Sequence, residues 1–234
     1  MLKFEKDTLL FNGREIPPDI RTFGEMRPVL AHPENEPRLE PDSPTYFMYR
    51  GVEKFQSIRY DITRILALDL SGELNKTFGH SHPKSKTGTA WLEVYEVLSG
   101  AAHFLIQRVN QLGVDDAAMI SGKKGDCFLI PPGYGHVTIN PGKTDLVLAN
   151  LVFEGFESDY SMFAQKRGAC YYELANGKIV KNPAYGTGFE LRKGTAAQFS
   201  SSFGSFKPFS KKSLLEVAKN WEDIEFLQYP EHFY

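Results

Sequence analysis

The sequence predicts an all-β fold, a sandwich or barrel of antiparallel strands, on three observations. Between Tyr46 and Phe153 the chain reads as short apolar, β-branched or aromatic runs: TYFMYRG, IRYDITRILALDL, WLEVYEVLSG, AAHFLIQRV, AAMISG, DCFLIPPG, HVTIN and DLVLANLVF. Each is about one strand long and gives way to turn residues. No helical apolar period interrupts them, and 20 Gly with 14 Pro supply the turns that such a fold needs.

Taken in order, the chain opens on an arm. Thr22 followed three residues later by Glu25 is a helix-capping box, which predicts a short helix over 22–30. From Ala31 to Ser43 the chain is rich in Pro and acidic residues without an apolar period, as expected of an irregular surface connector. After the strands, ACYYELANGKIVKN reads as a hairpin turning at Asn176-Gly177. Gln198 to Ser205 reads as a mobile linker. Ser213 and Glu216 repeat the capping box, and Leu214, Val217, Ala218 and Trp221 follow helical spacing. A terminal amphipathic helix is expected there, docked on the sheet or on a partner subunit. The organisation is therefore an N-terminal arm over 1–45, a barrel with its following hairpin over 46–192, and a linker with a helix over 193–234.

Charge and composition remove several function classes. Lys plus Arg number 27 against 29 Asp plus Glu, so no basic surplus is available to neutralise a nucleic-acid backbone. No apolar window reaches bilayer length and MLKFEKDTLL lacks a signal-peptide core, so no membrane partner and a cytoplasmic location are expected. Cys127 and Cys170, far apart in such a chain, read as reduced packing residues.

The chemistry concentrates in a few polar residues. In extended backbone, His80 and His82 point to one face, so their imidazoles converge. Glu93 opens the strand EVYEVL, and His136 opens another after the turn PPGYG. Three imidazoles and a carboxylate suit one divalent transition metal ion per subunit, with positions left open for water or substrate. Strand parity puts Glu93, Tyr95 and Val97 on one face and Val94, Glu96 and Leu98 on the other. With apolar residues on both, parity leaves Glu93 and Glu96 as alternatives. His103, mid-strand, and His32 and His232, in the arms, read as packing residues.

GDCFLIPPGYGHVTIN matches the second cupin motif at Gly125, Pro131, Gly133, His136 and Asn140, and His80, His82, Glu93 and Gly100 match the first around a longer insertion, PKSKTGTAWL. By this resemblance the fold is a cupin double-stranded β-helix, a jelly-roll barrel with short flanking helices and terminal arms, and Glu93 is the carboxylate ligand. TFGHSHP, EVYEVLSG and GACYYELANGKIVKNPAYG further resemble the cupin-type glucose-6-phosphate isomerase family, from about Thr22 to Arg192. The resemblance implies a metal-dependent aldose-ketose isomerase that interconverts glucose 6-phosphate and fructose 6-phosphate, in glycolysis or gluconeogenesis. The metal would be held by His80, His82, Glu93 and His136, with Fe(II) or Mn(II) ahead of Ni(II), Co(II) or Zn(II). Glu93 is the implied base and Tyr95 its companion for the sugar hydroxyls; a hydride shift is the competing mechanism. Thr63, Thr77, the Gly79 backbone and Tyr160 are implied for the phosphate. Where some family members carry a Tyr and a His, this chain has Val152 and Ser158. The alternatives are a cupin isomerase for another phosphosugar such as mannose 6-phosphate, and a sugar-phosphate-binding cupin without catalysis. The long arms predict a homodimer.

Overall fold

Residues 2–35, 39–200 and 212–233 are described by the structure, a computed structural model. The N-terminal arm begins with three short strands, β1 (Leu2–Glu5), β2 (Thr8–Phe11) and β3 (Arg14–Ile16), paired as a small antiparallel sheet. A fourth, β4 (Asp19–Thr22), leads into α1 (Phe23–Met26), where Thr22 and Glu25 close the expected capping box. The helix tightens to a 3-10 turn over Arg27–Val29, at whose start Pro28 offers no N–H to donate.

The barrel strands are β5 (Pro44–Phe55), β6 (Ile58–Ile65), β7 (Glu93–Ser99), β8 (Ala101–Asn110), β9 (Gly113–Lys123), β10 (Cys127–Ile130), β11 (Gly135–Ile139) and β12 (Leu146–Phe153). One sheet runs β10-β7-β12-β6-β5-β4. The opposing sheet runs β11-β8-β9 and then β15 (Leu191–Thr195), which pairs parallel to β9. From β7 onward the chain crosses repeatedly between the two sheets, the jelly-roll arrangement of the cupin fold. Between the sheets lie Val97, Phe104, Ile106, Ala118, Ile120, Phe128 and Leu148.

The large sheet carries its apolar residues on both faces for different reasons. In β6, Ile58, Tyr60 and Ile62 point away from the barrel interior into a second core, together with Phe47, Tyr49, Val94 and Leu151. The two terminal arms cover that core: Leu9, Phe11 and Ile16 come from one end, and Leu214, Val217, Ile224, Leu227 and Phe233 from the other. Both arms thus pack on the barrel of their own chain. The outer face of the small sheet is covered by the segment after β12, comprising α2 (Ser161–Gln165) and the hairpin β13 (Tyr171–Glu173) and β14 (Ile179–Lys181), through Phe163, Cys170, Tyr171 and Tyr185.

Some details differ from the sequence expectation and others agree with it. The arm before residue 45 contains strands, because LKFE, TLLF and REI find partners in one another. The expected terminal helix is one turn, α4 (Leu214–Val217), with its capping box intact. Asn220 is extended there and its amide bonds Asp223 at 3.1 Å, starting a separate 3-10 turn over Trp221–Asp223. Of the expected linker, Gln198 to Ser200 end a short helix, α3 (Ala196–Ser200), and residues 201–205 lie outside the described residues. His103 bonds Glu173 Oε2 at 2.7 Å, a half-buried polar pair. Both cysteines are free. Among the described residues no helix is long and apolar enough to cross a membrane.

Candidate metal centre

Backbone pairing brings the histidines together. After β6 the chain runs without a regular strand to Leu92, yet residues 76–80 lie antiparallel to β11 through bridges from Lys76 to Ile139 and from His80 to His136. His80 and His136 exchange backbone hydrogen bonds at 3.2 and 2.9 Å, so their rings meet with centroids 4.3 Å apart. Gly79 makes this approach possible. It sits at φ +93°, and a Cβ there would lie 2.4 Å from Phe163 Cδ1. His82, two residues on, presents Nε2 at 3.3 Å from His80 Nε2, as extended backbone requires.

Register also settles the glutamate. Cross-strand rows on the inner face of the large sheet are Glu93 with Val152, then Tyr95 with Asn150 and Asp61, then Leu148 with Thr63 and Met48. Glu96 points to the outer face, where it accepts the Leu214 N–H at 2.6 Å. Glu93 Oε2 lies 3.4 Å from His82 Nε2, 3.4 Å from His136 Nε2 and 3.8 Å from His80 Nε2. One ligand atom from each of the four residues falls within 4.8 Å of the others.

These side chains fit a divalent ion. Ligand atoms about 2.1 Å from a shared metal stand roughly 3.0 to 3.5 Å apart at right or tetrahedral angles, close to the spacing observed. Glu93 Oε2 is buried without a hydrogen-bond partner, an arrangement that a cation resolves. Its other oxygen, Oε1, accepts from Asn150 Nδ2 at 2.6 Å. The His82 ring is oriented by Nδ1, which donates to the Trp91 carbonyl at 3.1 Å and leaves Nε2 as the lone-pair nitrogen. Trp91 comes from the long insertion and stacks on Phe156, which packs in turn against His82.

Electrostatics favour the protonation states a metal needs. Burial first, and then the neighbouring His136 and His82, hold the His80 imidazole well below its ordinary value. Burial likewise lowers His136, against the opposing pull of Glu93. For Glu93, burial alone would favour the protonated acid, but the adjacent His136 and His82 outweigh it and keep the carboxyl well below its usual range. His80 and His136, disfavoured as cations and facing a carboxylate, are ready metal ligands.

The centre opens into a partly enclosed cavity lined by polar and apolar side chains. Every residue expected from sequence to touch metal or substrate lines it: Thr63, Thr77, Gly79, His80, His82, Glu93, Tyr95 and Tyr160, with His136 beneath at 3.2 Å from the Tyr95 hydroxyl. Thr77 Oγ1 accepts the Thr138 N–H at 3.0 Å and keeps its own proton to donate. Tyr160 stands edge-on to Phe78 and 5.4 Å from the His80 ring. Burial, and then Glu93, push the Tyr95 phenol well above its ordinary value, so it is a neutral donor. Val152, within β12, and Ser158 also line the cavity. Sequence reasoning did not single out Arg50, Asp61 and Asn150, which share the wall. The available signal was a polar residue on the inward parity of an otherwise apolar strand.

Comparison with known proteins follows the same lines. A family model described as glucose-6-phosphate isomerase matches residues 39–187. The glucose-6-phosphate isomerase of Thermococcus litoralis is 26% identical over 165 residues, 69% of this chain and 83% of the relative. That of Pyrococcus furiosus is 26% identical over 153 residues, 63% of this chain and 76% of the relative. A cupin-2 domain protein from Shewanella frigidimarina is similar over 45% of this chain and 78% of its own, at 14% identity and a TM-score of 0.32.

Proposed function

The chain belongs to the glucose-6-phosphate isomerase family, and from this we infer that its cavity interconverts glucose 6-phosphate and fructose 6-phosphate. The observation that carries the reading is the convergence of His80, His82, His136 and the partnerless Glu93 Oε2 at the floor of the cavity that Thr63, Thr77, Tyr95 and Tyr160 line.

The reaction moves hydrogen between C1 and C2 of an open-chain sugar. His80, His82, Glu93 and His136 would hold a divalent ion, which would supply Lewis-acid chemistry to the reacting oxygens of the sugar. In this reading Glu93 is the base that takes and returns the proton, which requires one of its carboxylate oxygens to be released from the contacts it makes with Asn150 or with the histidine cluster. Tyr95, kept neutral, donates to a sugar hydroxyl. Thr63, Thr77, the Gly79 N–H and Tyr160 offer neutral donors to the phosphate from the same cavity. Fe(II) or Mn(II) is the ion proposed, in a cytoplasmic setting of glycolysis or gluconeogenesis.

The test is a coupled assay of fructose 6-phosphate conversion on protein stripped with chelator and reloaded with single metals. Metal-dependent turnover is expected, and its loss in His136→Ala. A stoichiometrically bound ion without turnover on this substrate, but with turnover on mannose 6-phosphate, would move the assignment to another phosphosugar. Val152 and Ser158, both in the cavity wall, are the positions where such a change of substrate would be sought first.

A further inference from the structure

The cavity wall holds a charge that no motif accounts for. Along β5, Tyr46, Met48 and Arg50 face the cavity while Phe47 and Tyr49 face the outer core. Arg50 is the last inward residue before the register shift between Tyr49 and Glu53. Gly51 takes φ +62° there and gives its N–H to the buried Asp61 carboxylate at 2.7 Å. The bulge therefore fixes where Arg50 leaves the strand.

The guanidinium is held by one edge. Arg50 Nε donates to Asp19 Oδ2 at 2.9 Å, and Nη2 meets the weak acceptor Met48 Sδ at 3.4 Å. Asp19 belongs to β4, so the N-terminal arm positions this side chain. The Asp19 side chain is 64% exposed, and a pair so open to solvent neutralises little of the charge. Among the described residues lining the cavity, Arg50 is the sole Lys or Arg. Of its two companions in formal charge, Asp61 pairs with Arg59 at 2.8 Å and attracts Arg50 less strongly, and Glu93 faces the three histidines around it.

Resting on the isomerase reading above, we propose that Arg50 is a specificity-determining residue that recognises the substrate's phosphate monoester by charge, with Asp19 as its positioning residue. A sugar phosphate has an uncharged end that suits the metal and a dianionic end that needs a cation away from it. The open Nη donors of a guanidinium match phosphate oxygens in a planar fork. The neutral donors Thr63, Thr77, Gly79 and Tyr160 then complete a subsite that discriminates a phosphorylated from an unphosphorylated sugar.

The test uses the metal-loaded protein with glucitol 6-phosphate, an open-chain analogue that cannot isomerise, and glucitol as the unphosphorylated control. Arg50→Met is expected to weaken glucitol 6-phosphate binding and raise KM for fructose 6-phosphate about 10- to 100-fold, as loss of a charge-assisted hydrogen bond predicts. Metal affinity and melting temperature stay unchanged, and Arg50→Lys recovers part of the loss. Asp19→Asn gives a smaller loss that vanishes in the Arg50→Met background, an interaction that general destabilisation would not produce. Equal binding of glucitol 6-phosphate by wild type and Arg50→Met overturns the role of Arg50 and leaves the isomerase reading standing. Wild type that neither turns over fructose 6-phosphate nor binds glucitol 6-phosphate overturns both.

Discussion

Asn150 sits in LVLANLVF, a strand of otherwise apolar residues, and its amide is buried against Glu93 Oε1. Tying one carboxylate oxygen aims the other at the imidazoles, so Glu93 is held for single-oxygen ligation. Replacing Asn150 with Leu keeps the volume and removes the donor. Metal affinity is expected to fall about 10- to 100-fold, the usual effect of losing a group that orients a ligand, read by competition with a chromophoric chelator. An unchanged affinity would show that the amide does not orient Glu93. The contrast between ligands and supporters explains how much of the site was legible in the sequence. His80, His82 and His136 announce themselves locally, through alternation in extended backbone and a Pro-Gly turn. Asn150, Asp61 and Arg50 reach the cavity only through the registers of β12, β6 and β5. A single strand cannot reveal who its neighbours are.

At the scale of elements, β7 shows why parity left two glutamates. Both of its faces are buried, one by the cavity core and the other by the terminal arms, so apolar content does not mark an inside. Glu96 bears the cost of this. Burial raises its carboxyl above the ordinary range, the Leu214 N–H only partly offsets that, and Glu216 adds to it. A raised folded-state pKa means that the fold prefers the protonated acid. Ionisation therefore costs stability at neutral pH, and the cost disappears as pH falls through the folded value. Glu96→Gln, which keeps an acceptor for Leu214, is expected to raise the melting temperature at pH 7 to 8. The gain should vanish near pH 4; a gain equal at both pH values would refute the account. Capping boxes at Thr22 and Ser213 were legible because their reach is three residues. Strands β1 to β3 and β15 were not. Their sequences are short and mixed, and only pairing makes them strands.

For the whole molecule, the terminal arms decide whether the large sheet can stand in water. Leu214, Val217, Ile224, Leu227 and Phe233 are buried on its outer face. At about 1.5 to 3 kcal/mol for each such side chain, their removal rivals the roughly 5 to 15 kcal/mol by which domains are stable at all. A chain ending before residue 212 is expected to aggregate or to melt far below the intact protein, by light scattering and thermal unfolding. A soluble truncation with an unshifted melting temperature would mean that the arm is dispensable. The same arrangement sets a timetable during synthesis. The large sheet has all its barrel strands once Phe153 emerges, but the bond from Leu214 to Glu96 spans 118 positions and the cover ends only at Phe233. At about 5 to 20 residues per second, the interval is roughly 4 to 16 s. For those seconds a nascent chain shows the ribosome's surroundings a broad aliphatic and aromatic surface, which makes it a client for chaperones that hold such surfaces until translation is complete.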